Sequence, residues 1–180
     1  MNVLEETKFL MKKYKIKANK NLGQNFLIDD IVINDIVNGA EIEKEDLVIE
    51  IGPGLGSMTA LLVEKAKKVI CIELDKKMIK ILNDRFVAYN NIELINEDVL
   101  KINLNEIIKQ EREKNQIKNV KIVANLPYYI TTPIIMKLLE SNLDIASITV
   151  MIQKEVADRL IEVPSRKKYR SDNLYCLLLL

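Results

Sequence analysis

The sequence predicts an α/β fold on a mostly parallel, doubly wound sheet, and three observations carry that expectation. Five short runs have the composition of strands: 47–51 (LVIEI), 68–73 (KVICIE), 92–96 (IELIN), 120–125 (VKIVAN) and 147–153 (SITVMIQ). Most are continuously apolar, as strands covered on both faces should be. Helical patterns at about 57–66, 75–88, 103–114 and 132–141 fall between them, which calls for right-handed crossovers and parallel pairing.

Two further helical patterns, 2–13 and 29–38, precede the sheet. Residues 1–45 therefore read as an N-terminal helical and basic segment, and 46–180 as the sheet domain. Near the other end, 153–164 (QKEVADRLIEVP) reads as a helix. Beyond about 165 the pattern resolves into nothing regular, and Leu177–Leu180 suits a clipped strand or an incomplete domain. The expectation is a fragment or an abnormal terminus. No internal repeat or low-complexity linker interrupts the chain.

A chain of 180 residues holds one domain with a sizeable core. At 48% hydrophobic and 29% charged it has a soluble, globular balance. The net charge of +1 does not announce a polyanion partner, but the distribution is uneven. Lys12, Lys13, Lys15, Lys17 and Lys20 cluster without an acid among them, and RKKYR follows at 166–170. Two readings stay open, a solvated surface or a rim that tracks phosphate.

The chain contains no histidine, which excludes Ser-His-Asp and Cys-His machinery and argues against a catalytic zinc site; no metal is expected. Cys71 and Cys176 do not form a disulfide framework, and Cys71, within VICIE, reads as a small core residue. The N-terminus lacks the apolar region of a signal peptide. No run approaches the roughly 18 apolar residues of a membrane span, so the expected location is cytoplasmic, with no membrane partner.

The first strand leads into EIGPGLGSMT (50–59), where Gly52, Gly54 and Gly56 permit a tight turn and a close approach of ligand to backbone. Taken alone, such a loop is also compatible with a merely tight turn. Glu73 closes the second strand about 20 positions later, where a doubly wound fold places an acid against ribose hydroxyls. Asp98 follows the third strand at the same carboxyl edge. A dinucleotide fingerprint needs glycine at position 57, where Ser57 stands. The G-x-G-x-G spacing, with Glu50 two residues ahead, instead resembles the S-adenosylmethionine loop of class I methyltransferases.

Asn125 ends the fourth strand and begins NLPYYITTPII (125–135). An exocyclic adenine amine is a poor nucleophile because its lone pair is delocalised into the ring. Two acceptors on its N–H groups, the Asn125 side-chain oxygen and the Leu126 carbonyl, can hold the nitrogen towards tetrahedral geometry, with Pro127 stiffening the turn. Tyr128 offers a face for an extruded base. For Tyr129, packing beneath a helix and contact with the target are both open.

Together these motifs resemble one family, the ribosomal RNA adenine N6-dimethyltransferases. NLGQNFLID (21–29) resembles its leading signature, EIGPGLGSMT its cofactor loop, IELD (72–75) and NEDVL (96–100) its two acidic motifs, and NLPYYITTPI its catalytic motif. The resemblance runs to about Tyr169 and implies a class I, Rossmann-like domain using S-adenosyl-L-methionine. It implies that Asn25 and Leu27 meet the methionine end of the cofactor and Gly52 and Gly54 approach it through their backbones. Glu73 would hold the ribose and Asp98 the adenine amine of the cofactor, Leu74 and Val99 would also contact the cofactor, and Asn125 would border cofactor and target. Asn125, Leu126, Pro127 and Tyr128 would be catalytic. Phe26 would help form the target pocket; Tyr128 and Tyr129, from the stacking argument, and Lys13, Lys15 and Lys17, from the charge cluster, are the other candidates to face the RNA.

The implied reaction is dimethylation of two adjacent adenosines in small-subunit (16S) ribosomal RNA, on an immature 30S particle, by a monomer. NLPY, NEDVL and QKEVADRL look more like this branch than like the large-subunit (23S) methylases that confer macrolide resistance. A non-catalytic RNA-binding assembly factor and a nicotinamide dehydrogenase are the other readings. The family follows this domain with a C-terminal helical domain that grips RNA; the present chain is expected to be without it, and the usual glycines after Pro164 are missing. Cofactor binding is expected to depend less on that domain than RNA binding does.

Overall fold

The structure is a computed structural model, and it describes residues 2–17, 25–127, 129–152, 167–171 and 174–179. Its elements run α1 (Val3–Lys13), α2 (Asp30–Gly39), β1 (Leu47–Ile51), α3 (Thr59–Lys65), β2 (Lys68–Ile72), α4 (Lys76–Arg85) and β3 (Ile92–Ile95). There follow α5 (Leu104–Asn115), β4 (Val120–Asn125), α6 (Thr131–Glu140), β5 (Ser147–Ile152), β6 (Lys167–Ser171) and β7 (Leu174–Leu179). The sheet has seven strands in the order β3-β2-β1-β4-β5-β7-β6. Strands β1 to β5 pair in parallel, while β7 is antiparallel to both β5 and β6.

The near-continuous apolar runs are explained by burial on both faces. Leu47, Ile49 and Ile51 of β1 join Ile122 and Ala124 of β4 against Ile108 of α5 and Ile134 and Leu138 of α6. Val48, Cys71 and Val123 point the other way, into a core with Ile33 and Ile36 of α2 and Leu62 of α3. Side chains alternate across a strand, so each strand supplies both cores. The α-helices are held by local signals: Asn2 and Glu5 form a reciprocal capping box on α1, and Asp29, Asp75 and Asn103 cap α2, α4 and α5.

The amino edge of the sheet is closed by a buried polar clamp. Lys121, 8% exposed, pairs with the fully buried Asp46 at 3.2 Å and donates to the Glu41 carbonyl. Asn119 Nδ2 and the Glu43 backbone N–H complete the Asp46 carboxylate at 3.0 and 2.8 Å. A buried charge pair of this kind is tolerable only when its remaining hydrogen bonds are met, and here they are. The opposite edge, where the parallel strands end, is left for chemistry.

Two segments differ from the sequence-based expectation. Residues 167–171 and 174–179 form a hairpin, with β7 lying between β5 and β6; an apolar run such as LYCLLL fits any buried element, so its partners were not readable. The helix over the turn after β1 begins at Thr59, later than 57, because Gly54–Met58 first make turns. The helix expected at 153–164 lies outside the described residues. Among the described residues, no helix is long and apolar enough to cross a membrane.

Candidate active site

At the carboxyl edge, the ends of β1, β2, β3 and β4 surround a cavity of about 340 Å³, within the range of small-molecule sites. Parallel pairing makes this convergence unavoidable: Ile51 lies level with Ile72 and Ala124, and Ile72 with Ile95, so the residues that follow emerge side by side.

The loop after β1 makes the floor. Gly52, Gly54 and Gly56 have φ of 69°, 58° and 84°, the left-handed region that glycine enters most readily. Among the described residues, a Cβ on Gly52 would meet nothing within 4 Å, so it faces the open side of the cavity wall. Gly56 serves a different purpose. A Cβ there would stand 2.7 Å from the Phe86 ring and 2.8 Å from Leu82, so this glycine lets the loop pack on α4.

Glu73, 8% exposed, lines the cavity and also braces the loop. Its Oε2 accepts the Gly54 N–H at 3.1 Å and its Oε1 accepts the Asp75 N–H at 2.8 Å. Burial pushes its carboxyl pKa up, and those two donors pull it part of the way back. Leu74 beside it is half exposed and presents an apolar face to the cavity. After β3, Asp98 and Val99 line the wall, and Asp98 Oδ1 accepts the Leu100 N–H at 2.9 Å.

Asn125, Leu126 and Pro127 border the cavity from β4. The Leu126 side chain is anchored in the core at 2% exposure, and Thr131 Oγ1 donates to the Pro127 carbonyl at 3.0 Å, fixing the turn into α6. Tyr129 lies on the cavity wall, 59% exposed; it does not pack beneath a helix. Tyr128 lies outside the described residues, as do residues 21–24 of the leading signature. Asn25, Phe26 and Leu27 close the cavity from the N-terminal side. Lys13, Lys15 and Lys17 are exposed and are not part of the wall.

Sequence reasoning did not find Met58, Glu97 or Met151, which also line the cavity. Met151 is the strand-register partner of Asn125, and strand alignment is the signal that could have found it. Glu97 Oε1 accepts the Asp98 N–H at 2.8 Å. Glu50, by contrast, is wholly buried below the loop. It receives the Thr59 hydroxyl at 2.6 Å and the Cys71 thiol at 3.5 Å, its Oε1 has no partner among the described residues, and burial raises its pKa to about 7.

Comparison with known proteins agrees with this geometry. Residues 15–175 match the family model described as ribosomal RNA adenine dimethylase. A protein of Clostridium botulinum (strain Okra / Type B1) named ribosomal RNA small subunit methyltransferase A is 54% identical over 165 residues, covering 92% of this chain and 58% of that protein. A protein of the same name from Alkaliphilus oremlandii (strain OhILAs) is 50% identical over 165 residues, covering 92% of this chain and 56% of that one. The crystal structure of a dimethyladenosine transferase from Plasmodium falciparum superposes with a TM-score of 0.69 at 25% identity, covering 86% of this chain and 62% of that chain. The chain thus spans less than two thirds of the length of these relatives. Its fold is the Rossmann-like fold of class I methyltransferases. The chain belongs to the ribosomal RNA adenine dimethylase family.

Proposed function

We propose that the chain binds S-adenosyl-L-methionine in the carboxyl-edge cavity and methylates the N6 amines of two adjacent adenosines in small-subunit ribosomal RNA. The observation that carries this reading is the meeting of Glu73, Asp98 and Asn125, from three consecutive strand ends, around the open face of Gly52. The donor set suits a nucleoside bearing an amino-acid tail: a carboxylate for the ribose hydroxyls, the Leu74 face for the base, and Asp98 for an amine. Gly52 leaves room for the ligand against the backbone. When bound, the cofactor supplies a methyl group already activated on a sulfonium.

The chain's own residues then deal with the acceptor. The Asn125 oxygen and the Leu126 carbonyl accept the two N–H groups of the adenine amine, and Pro127 holds that turn rigid. The amine gains one methyl and releases one proton to solvent. Tyr128 and Tyr129 offer faces to the extruded base, and Phe26 shapes the pocket from the N-terminal side. Lys13, Lys15 and Lys17 neutralise phosphate. Residues 46–180 act as the catalytic domain, and 1–45 as a helical and basic segment that carries the leading signature. The partner in this reading is an immature 30S particle, met in the cytoplasm by a monomer that needs no metal. The names of the relatives support the small subunit as the target.

The test is transfer of labelled methyl to unmethylated small subunits, with large-subunit RNA alongside. Label appearing as dimethyladenosine in small-subunit RNA, and lost in Asn125→Ala while RNA binding is largely kept, is the expected result. Label in large-subunit RNA would move the chain to the resistance branch. No label from a protein that binds the cofactor calorimetrically would make it a non-catalytic RNA-binding factor.

A further inference from the structure

Helix α1 contributes nothing to the cavity wall, yet it is fastened to the loop that forms the floor. The Arg85 side chain, at the end of α4 and 11% exposed, joins the two. Its Nη1 donates to the Leu55 carbonyl, between Gly54 and Gly56, and its Nη2 meets Glu6 Oε2 of α1 at 2.7 Å. Around this fork, Leu10 of α1 packs with Leu55, Met78 and Ile81 in one small core, joined at its edge by Phe26. The Phe26 ring in turn lies 3.5 Å from where a Gly54 Cβ would stand. A second tie, from the Tyr14 hydroxyl to Asp84 Oδ2 at 3.2 Å, holds the other end of α1 on α4.

A loop with three glycines in left-handed conformations loses much freedom when it is fixed, so whatever fixes it beforehand raises affinity for its ligand. The planar guanidinium suits that task because it can serve a carboxylate and a carbonyl at once, in a geometry an ammonium does not reproduce. We propose that Arg85 is a positioning residue for the cofactor loop, and that α1, acting through Glu6, is a working part of the cofactor site although it does not touch the cavity. This rests on the cofactor reading above. Without Glu6, the largely enclosed guanidinium loses the partner that aims it, and Leu55 loses its tether.

The experiment is calorimetric titration of S-adenosylhomocysteine into the wild type, Glu6→Gln, Arg85→Met, Arg85→Lys and the double variant Glu6→Gln/Arg85→Met, with urea midpoints measured in parallel. Asn119→Ala, which removes a hydrogen bond at the opposite edge of the sheet, reports what general destabilisation does. Glu6→Gln and Arg85→Met are expected each to weaken binding about tenfold, as loss of a charge-assisted hydrogen bond does. The double variant is expected to be no weaker than Arg85→Met, because both act through one fork. Arg85→Lys falls between. In turnover, KM for the cofactor rises while kcat at saturation holds. Asn119→Ala lowers the urea midpoint without changing affinity.

The proposal is overturned if Glu6→Gln binds like the wild type, if the two single losses add, or if affinity follows the urea midpoint in every variant including Asn119→Ala. Glu6→Gln decides the matter by itself should Arg85→Met fail to fold. A wild type that binds no S-adenosylhomocysteine would overturn the proposed function and this proposal together. Binding of S-adenosylhomocysteine that is indifferent to Glu6 overturns this proposal and leaves the proposed function standing.

Discussion

The Thr59 hydroxyl donates to the Glu50 carboxylate at 2.6 Å in a place wholly closed to solvent. Burial is the largest influence on Glu50 and raises its pKa from 4.5 to about 7. The folded state therefore holds a proton between pH 4.5 and 7 that the unfolded chain has released. The stability this contributes is complete below about pH 4.5 and is lost as the pH rises through 7. The size is up to about 3 kcal/mol. Glu50→Gln is expected to remove this dependence: its urea midpoint should gain on the wild type between pH 5 and pH 8. Parallel pH profiles for the two proteins would show that Glu50 does not titrate in this window.

Glu73 makes a separate prediction, because both of its oxygens receive backbone N–H groups. Glutamine presents an amide NH₂ to one of those donors. Glu73→Gln should therefore cost about 1–3 kcal/mol of stability and weaken S-adenosylhomocysteine binding by about tenfold or more. Urea unfolding and calorimetry on the same preparation check the two parts. Undiminished affinity would remove Glu73 from the site.

Two neighbouring glycines should fail in opposite ways. Gly56→Ala forces a methyl group against Leu82 and Phe86 at a φ of 84°, and about 2–4 kcal/mol of stability should be lost. At Gly52 the methyl meets open space, so Gly52→Ala should lose only about 1 kcal/mol through its backbone. Its larger effect should be on ligand affinity, because the cavity floor is then filled. Thermal unfolding with and without S-adenosylhomocysteine separates the two.

Lys15 ends α1 in the left-handed conformation, φ 52°, where glycine is the usual occupant. The Ile16 N–H reaches back to the Met11 carbonyl at 2.8 Å and the Lys15 N–H to Lys12 at 3.3 Å, which completes a Schellman end. Lys15→Gly should stabilise the protein by about 1 kcal/mol. If the charge serves RNA, the same change should weaken RNA binding and reduce the slope of log K against log salt by about one. A gain in stability with an unchanged slope would leave Lys15 as a helix end alone.

Much of this site was legible because parallel strands end together. Once 47–51, 68–73, 92–96 and 120–125 were read as strands, Gly52, Glu73, Asp98 and Asn125 had to share one edge. What stayed hidden depends on contacts between elements far apart in sequence. Nothing near Arg85 in the chain points to Glu6 or Leu55, and Gly56 looked like part of a ligand loop until Phe86 was placed beside it. Glu50 carries the pattern of a loop acid, yet its burial follows from the sheet and α3 closing over it. The partners of β6 and β7 were unreadable because alternation and apolarity set a face, not a neighbour.

The insertion of β7 between β5 and β6 has a consequence for the chain as it is being made. Strands β1 to β5 can assemble as they emerge, each finding a neighbour already in place. One border of β5, however, keeps its backbone N–H and C=O groups unpaired until Leu174–Leu179 have left the ribosome, even after β6 has appeared. A nascent chain at that stage presents a long apolar border to any other strand nearby. The interval between synthesis of residue 152 and of residue 179 is thus one in which this polypeptide is exposed to mispairing, and in which a chaperone has an edge to shield.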